Sequence, residues 1–165
     1  MGRHKFFEAI WTIDHRSKDD KVLFSYTGRN ALVNDGEYVL LDAFFRAQSL
    51  PTVFYVGLCY GSMSEETLEV NIPGEPVSTW GYSRQSLTRD TTGFPTIELN
   101  DGDYQLTTKS LAVTASGGSI GPVNHAFLVA NTDSGLRLLS FITLPREITL
   151  VSGEQLSFYI KIKAM

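Results

Sequence analysis

The chain has a single cysteine, Cys59, so neither an intrachain disulfide nor a cysteine-based zinc cluster can form. Set inside FYVGLCY, it reads as a small buried hydrophobe in a strand, which suits a protein made in a reducing cytoplasm. Long apolar runs are missing too: no stretch approaches the roughly 18 residues that cross a bilayer as a helix. The opening MGRHKFFEAIW lacks the apolar core of a signal peptide. Gly2 is followed at position 6 by Phe6 rather than the Ser or Thr of a myristoylation site. A soluble, unsecreted product with no membrane partner is expected. Positive charge is sparse and scattered, with 14 Lys and Arg against 18 Asp and Glu. A nucleic-acid partner needs clustered cations that release counterions, so none is expected.

Reactive groups are equally thin. The three histidines, His4, His15 and His125, stand in no metal-ligand spacing and read as surface or hydrogen-bonded structural residues. There is no Gly-x-Ser-x-Gly elbow. The Gly-rich run at residues 117–121 leads into Pro122 rather than a helix, so it lacks the geometry that cradles phosphate. The acidic pairs Asp19-Asp20, Asn34-Asp35 and Asn100-Asp101 lack the register of a calcium loop and read as turns. No cofactor or metal is expected, and an enzyme would have to assemble a site without a sequence signature, for example from Glu65, Asp103 and His125.

What is present is the material of one folded domain. Hydrophobic residues make up 42% and charged residues 19% of 165 residues with no polar spacer, enough for a single core over 1–165. Residues 6–13 and 21–26 read as strands flanking DHRSKDD, a hairpin with a polar loop. The first strand sets Phe7, Ala9, Trp11 and Ile13 on one face, and Phe6 and Ile10 make the other apolar as well, which predicts cover on both sides. Further strands are expected at 53–60, 82–87, 96–99, 105–115, 125–130, 136–144 and 154–163. Turn signals at 116–118, 132–135, 144–146 and 152–153 separate them.

The tripeptide Asn-Asp-Gly occurs twice, with different sequels. After Asn34-Asp35-Gly36, Tyr38, Leu41 and Phe45 fall at i, i+3 and i+7 with Leu40 and Phe44 beside them, which predicts a short helix over about residues 35–47. Asn34 is the expected N-cap with Glu37 at N3, and Leu50-Pro51 ends the helix. After Asn100-Asp101-Gly102 the β-branched mixture lacks the 3.6 period, so a tight hairpin turn is expected there. The fold class that follows is mainly β, an antiparallel sandwich or barrel-like domain with one short helix. Residues 62–79 are acidic, broken by Pro73, Gly74 and Pro76, and read as a long contact loop or arm. Residues 1–5 read as a tail.

The order of motifs carries a resemblance. NALVNDG at residues 30–36 leads into the helix, FYVGL follows at 54–58, GYSR at 81–84, and a strand after Ser152-Gly153-Glu154 closes the chain. This series resembles the small, β-rich virion structural proteins of tailed bacteriophages. The resemblance implies a non-enzymatic subunit of the virion, made in the bacterial host cytoplasm, most of all a capsid decoration or cement protein. Its partners would be the major capsid protein and copies of itself. The alternative is a tail or fibre component, such as a receptor- or glycan-binding module. The motif positions imply structural roles: Asn34 as helix cap, Gly57 and Gly81 as points of backbone freedom. Candidate interface residues are Phe6 and Phe7 of an N-terminal strand acting as an arm, Glu65 and Glu66 of the acidic loop, and Trp80 and Tyr82 as aromatic platforms.

Overall fold

Alternation decides the architecture. In the computed structural model, which describes residues 7–164, the ten strands are β1 (Phe7–Arg16), β2 (Val22–Ala31), β3 (Val53–Cys59), β4 (Gln85–Thr88), β5 (Thr96–Asn100), β6 (Asp103–Thr107), β7 (Leu111–Thr114), β8 (Ile120–Thr132), β9 (Gly135–Leu150) and β10 (Gln155–Ala164). One helix, α1 (Asn34–Phe45), lies between β2 and β3. The first sheet runs β2-β1-β10-β6-β5, with β7 also paired to β10, and the second runs β4-β3-β8-β9. Over the described residues the chain is mainly β, a sandwich-like pair of antiparallel sheets without a closed barrel.

In β1, Ala9, Trp11, Ile13 and His15 are buried while the residues between them are half-exposed. Trp11 lies opposite Ile160 and Ile13 opposite Phe158, so both strands turn the same face inward. Each such side chain, once buried, stabilises the fold by about 1.5–3 kcal/mol. The two-sided cover expected of the first strand is therefore not found: Ile10 is half-exposed, and Phe6 lies outside the described residues. Two-sided cover belongs instead to β8, where every residue from His125 to Ala130 is buried. Ala126, Leu128 and Ala130 face the first sheet, while Phe127 and Val129 join Val33, Cys59, Leu138 and Phe141 in a second cluster on the other side.

Three local expectations are corrected. Asn34 is not the N-cap of α1; Val33 is, and no side chain caps the helix. The helix start is held by backbone instead, Val33 N–H donating to Leu139 O (2.9 Å) and Asn34 N–H to Glu65 O (3.0 Å). The turn expected at 144–146 lies within β9, where the pairing with β8 jumps from His125↔Thr143 to Val123↔Ile148. Pro145 is tolerated there because β9 is an edge strand and the irregularity needs no N–H from it. Gly57 has an ordinary backbone; it is small because an added Cβ would lie 2.3 Å from the Phe127 ring.

The second Asn-Asp-Gly behaves as expected. Asp101 and Gly102 have φ of 52° and 87°, the paired left-handed geometry of a two-residue hairpin turn, with Asn100 opposite Asp103.

Candidate functional site

The residues singled out in the sequence do not converge. β1, expected to act as an arm, is an inner strand between β2 and β10, and Phe7 is half-buried on its core-facing side. Tyr82, expected as an exposed platform, is 5% exposed. Its hydroxyl accepts from Leu58 N–H (3.0 Å) and donates to Glu75 Oε1 (2.7 Å). Burial, followed by the bond to Glu75, raises its pKa, so Tyr82 is a neutral anchor of the core. Trp80 ends a 3-10 turn (Ser78–Trp80) and is 42% exposed. Its ring sits so closely on Gly118 that a Cβ there would lie 2.3 Å away.

The acidic loop, expected to reach outward as an arm, is folded back on the second sheet. Arg84 is the clamp: its Nε and Nη2 donate to the two carboxylate oxygens of Glu75 (2.8 and 2.7 Å), and Nη1 donates to Glu69 Oε1 (2.7 Å). The guanidinium also stacks 5.1 Å from the Phe127 ring centroid. Its bonds to Glu75 and then Glu69 raise the Arg84 pKa against the cost of burial. Beneath the loop, Met63 and Ile72 pack on the second cluster, and Cys59 Sγ lies 3.4 Å from Met63 Sδ. Burial, with Glu75 nearby, pushes the Cys59 thiol up to about 12, so it stays protonated and unreactive. Glu65 and Glu66 remain exposed on this loop.

The titratable groups considered for catalysis lie apart. Asp103 pairs with Lys163 (3.1 Å) in the first sheet, His125 is buried in the second beside Asn124 and Phe141, and Glu65 is in the loop. His15, on the inward-facing side of β1, bonds Glu154 at 2.9 Å. Among the described residues no three His, Cys, Asp or Glu are grouped to hold a metal ion. Among them also, no helix is long and apolar enough to cross a membrane.

What the sequence reading missed are two apolar surfaces. On α1, Tyr38 (51%), Leu41 (53%), Phe44 (70%) and Phe45 (81%) point to solvent, although their spacing is that of a core-facing stripe. On the β5–β6 hairpin, Ile97 (71%), Leu99 (62%) and Tyr104 (62%) do the same. The hairpin set carries a register. Ala9 lies opposite Ile162, Ile162 opposite Leu106, and Leu106 opposite Ile97, and side chains directly opposite share a face. Along that row burial falls from buried Ala9 through half-buried Ile162 and Leu106 to open Ile97. The core face of the first sheet thus runs out from under the second. The signal that could have located it is the alternation of Ile97 and Leu99 with Glu98 in a strand next to a tight turn, which marks a face without telling what covers it.

No family model matches the chain, and neither a curated protein nor a solved structure matches it.

Proposed function

We propose that the protein is a non-enzymatic structural subunit of a tailed-bacteriophage virion, a capsid decoration or cement protein that binds the major capsid lattice and copies of itself. The observation that supports this most is the uncovered core face at β5–β6. Apolar surface continuous with a core and open to water is unfavourable in a lone chain and favourable once a partner seals it. A small sandwich with such a face works by contact, and repetition on a lattice multiplies a modest contact into firm attachment. The motif order of residues 30–36, 54–58 and 81–84 supports the phage setting.

The experiment is cosedimentation of the purified protein with empty capsids, followed by cryo-electron microscopy of the pellet. Saturable occupancy at lattice positions, weakened by Ile97→Glu or Tyr104→Ser, is the expected result. Free protein in the supernatant at all concentrations overturns the decoration role. The partly open Trp80 ring favours the second reading, a tail module that stacks on glycan; that reading takes first place if Trp80→Ala abolishes cell adsorption while capsids stay bare.

A further inference from the structure

We infer that α1 is the surface through which two copies of this chain associate, the helices crossing antiparallel about a two-fold axis near Leu41. This deepens one part of the proposed role, the association of copies, and its test needs no capsid, so the two stand or fall separately.

The helix is mounted with its apolar side outward. At about 100° per residue, Asp35, Gly36, Val39 and Ala43 share one arc and Glu37, Tyr38, Leu41, Phe44 and Phe45 the opposite one. The first arc is taken up by the body of the protein: Asp35 and Gly36 are buried and Val39 packs on the core. The second arc is left open, with Phe44 and Phe45 more exposed than most residues of the chain.

Two features select a second copy as its occupant. The stripe is centred on Leu41, with aromatics at both ends, so a two-fold there sets Tyr38 of one copy near Phe44 and Phe45 of the other. A patch that complements itself under rotation is what an isologous interface requires. Direction follows from the two-fold itself, which runs the two helices antiparallel. Antiparallel crossing opposes the helix dipoles, whereas parallel crossing aligns them. The area is also sufficient. Three aromatics that each carry roughly 150–250 Å², half to four-fifths of it open here, give with Leu41 about 500 Å² of apolar contact per copy. The two copies together then bury about 1,000 Å², enough to clear the lower bound of a specific interface.

The test is sedimentation of the full-length protein over a concentration series, with Leu41→Glu and Phe44→Glu beside it. Both positions are exposed, so an unchanged circular dichroism spectrum is expected for each variant. The expected result is a dimer with a dissociation constant in the micromolar range, weakened about tenfold or more by either substitution. Leu41→Cys supplies a geometric check, because the native Cys59 is buried: mild oxidation should link copies through position 41, and not through Glu66→Cys on the acidic loop. A monomer at the highest concentrations overturns the inference, as does a dimer indifferent to Leu41→Glu and Phe44→Glu, or equal cross-linking at positions 41 and 66.

Discussion

Arg137 Nη1 donates to Asp35 Oδ1 at 3.0 Å, joining β9 to the first turn of α1. The Asp35 side chain is 7% exposed and that of Arg137 33%. The pair sits where the helix dipole also favours a carboxylate. One turn of helix further on, the Arg137 guanidinium lies 5.8 Å from the Tyr38 ring centroid. This contact fixes the rotation of α1: with Asp35 drawn inward, the Tyr38, Leu41 and Phe45 stripe must point out.

Arg137→Ala is therefore expected to cost about 1–3 kcal/mol, the penalty of leaving a buried charged group without its partner. The double variant Asp35→Ala/Arg137→Ala should cost less than the sum of the singles, since removing both leaves no orphan. Urea denaturation of the four proteins measures it; strict additivity would show that the pair does not hold the helix.

Gly36 and Gly102 close the same tripeptide for different reasons. An added Cβ at Gly36 would lie 2.6 Å from Leu139 O, whereas at Gly102 nothing lies within 4 Å and the demand is its φ of 87°. Gly102→Ala is expected to cost about 1–2 kcal/mol through backbone strain alone. Gly36→Ala should push α1 off β9, at a cost of about 1–3 kcal/mol from overpacking. Hydrogen exchange separates them: α1 amides speed up in Gly36→Ala and stay protected in Gly102→Ala.

Arg84 holds the acidic loop by three charge-assisted bonds to Glu69 and Glu75. Arg84→Lys keeps the charge but loses the planar fork that grips both oxygens of Glu75, so the loop at 62–79 should become cleavable in limited proteolysis. Arg84→Ala should increase cleavage further and loosen α1, whose Asn34 N–H donates to Glu65 O on that loop. Equal resistance of all three proteins would contradict the clamp.

Acid should weaken the fold in two steps. Burial lowers the His125 pKa from its ordinary 6.5, so the unfolded chain takes up a proton that the folded one refuses. Stability should fall as pH drops below about 6.5, until the folded-state value is passed. Glu154 is opposed by burial, but bonds from His15 and the Val151 N–H outweigh it and hold its carboxyl below the ordinary 4.5. Its contribution is complete above 4.5 and is lost as pH falls through the lowered value. Urea midpoints across pH 4–8 test both; His125→Gln should flatten the upper step and leave the lower one.

Much of the fold was legible because strands declare themselves locally. Leu156, Phe158 and Ile160 alternate in sequence and face inward in space, and Asp101-Gly102 makes a turn by its own backbone preferences. The capping of α1 was not legible: Asn34 looks like a cap, but the donors at the helix start find Leu139 O and Glu65 O, which only folding brings near. Tyr82 was misjudged for a related reason, since Leu58 N–H and Glu75, which take its hydroxyl, come from other parts of the chain.

The sequence by itself determined where most strands and turns and the helix form, because hydrophobic period and turn chemistry act over a few residues; the turn expected at 144–146 was the exception, lying within β9. It also determined that α1 has an apolar stripe. Only the tertiary structure decided that the stripe faces water. That outcome rests on Arg137 reaching Asp35 from 102 positions away and on the close approach of β9 to Gly36. The same holds for Ile97, Leu99 and Tyr104, whose strands are local facts but whose lack of cover depends on where the second sheet ends. Which face is buried is a property of partners distant in sequence, and period alone cannot carry it.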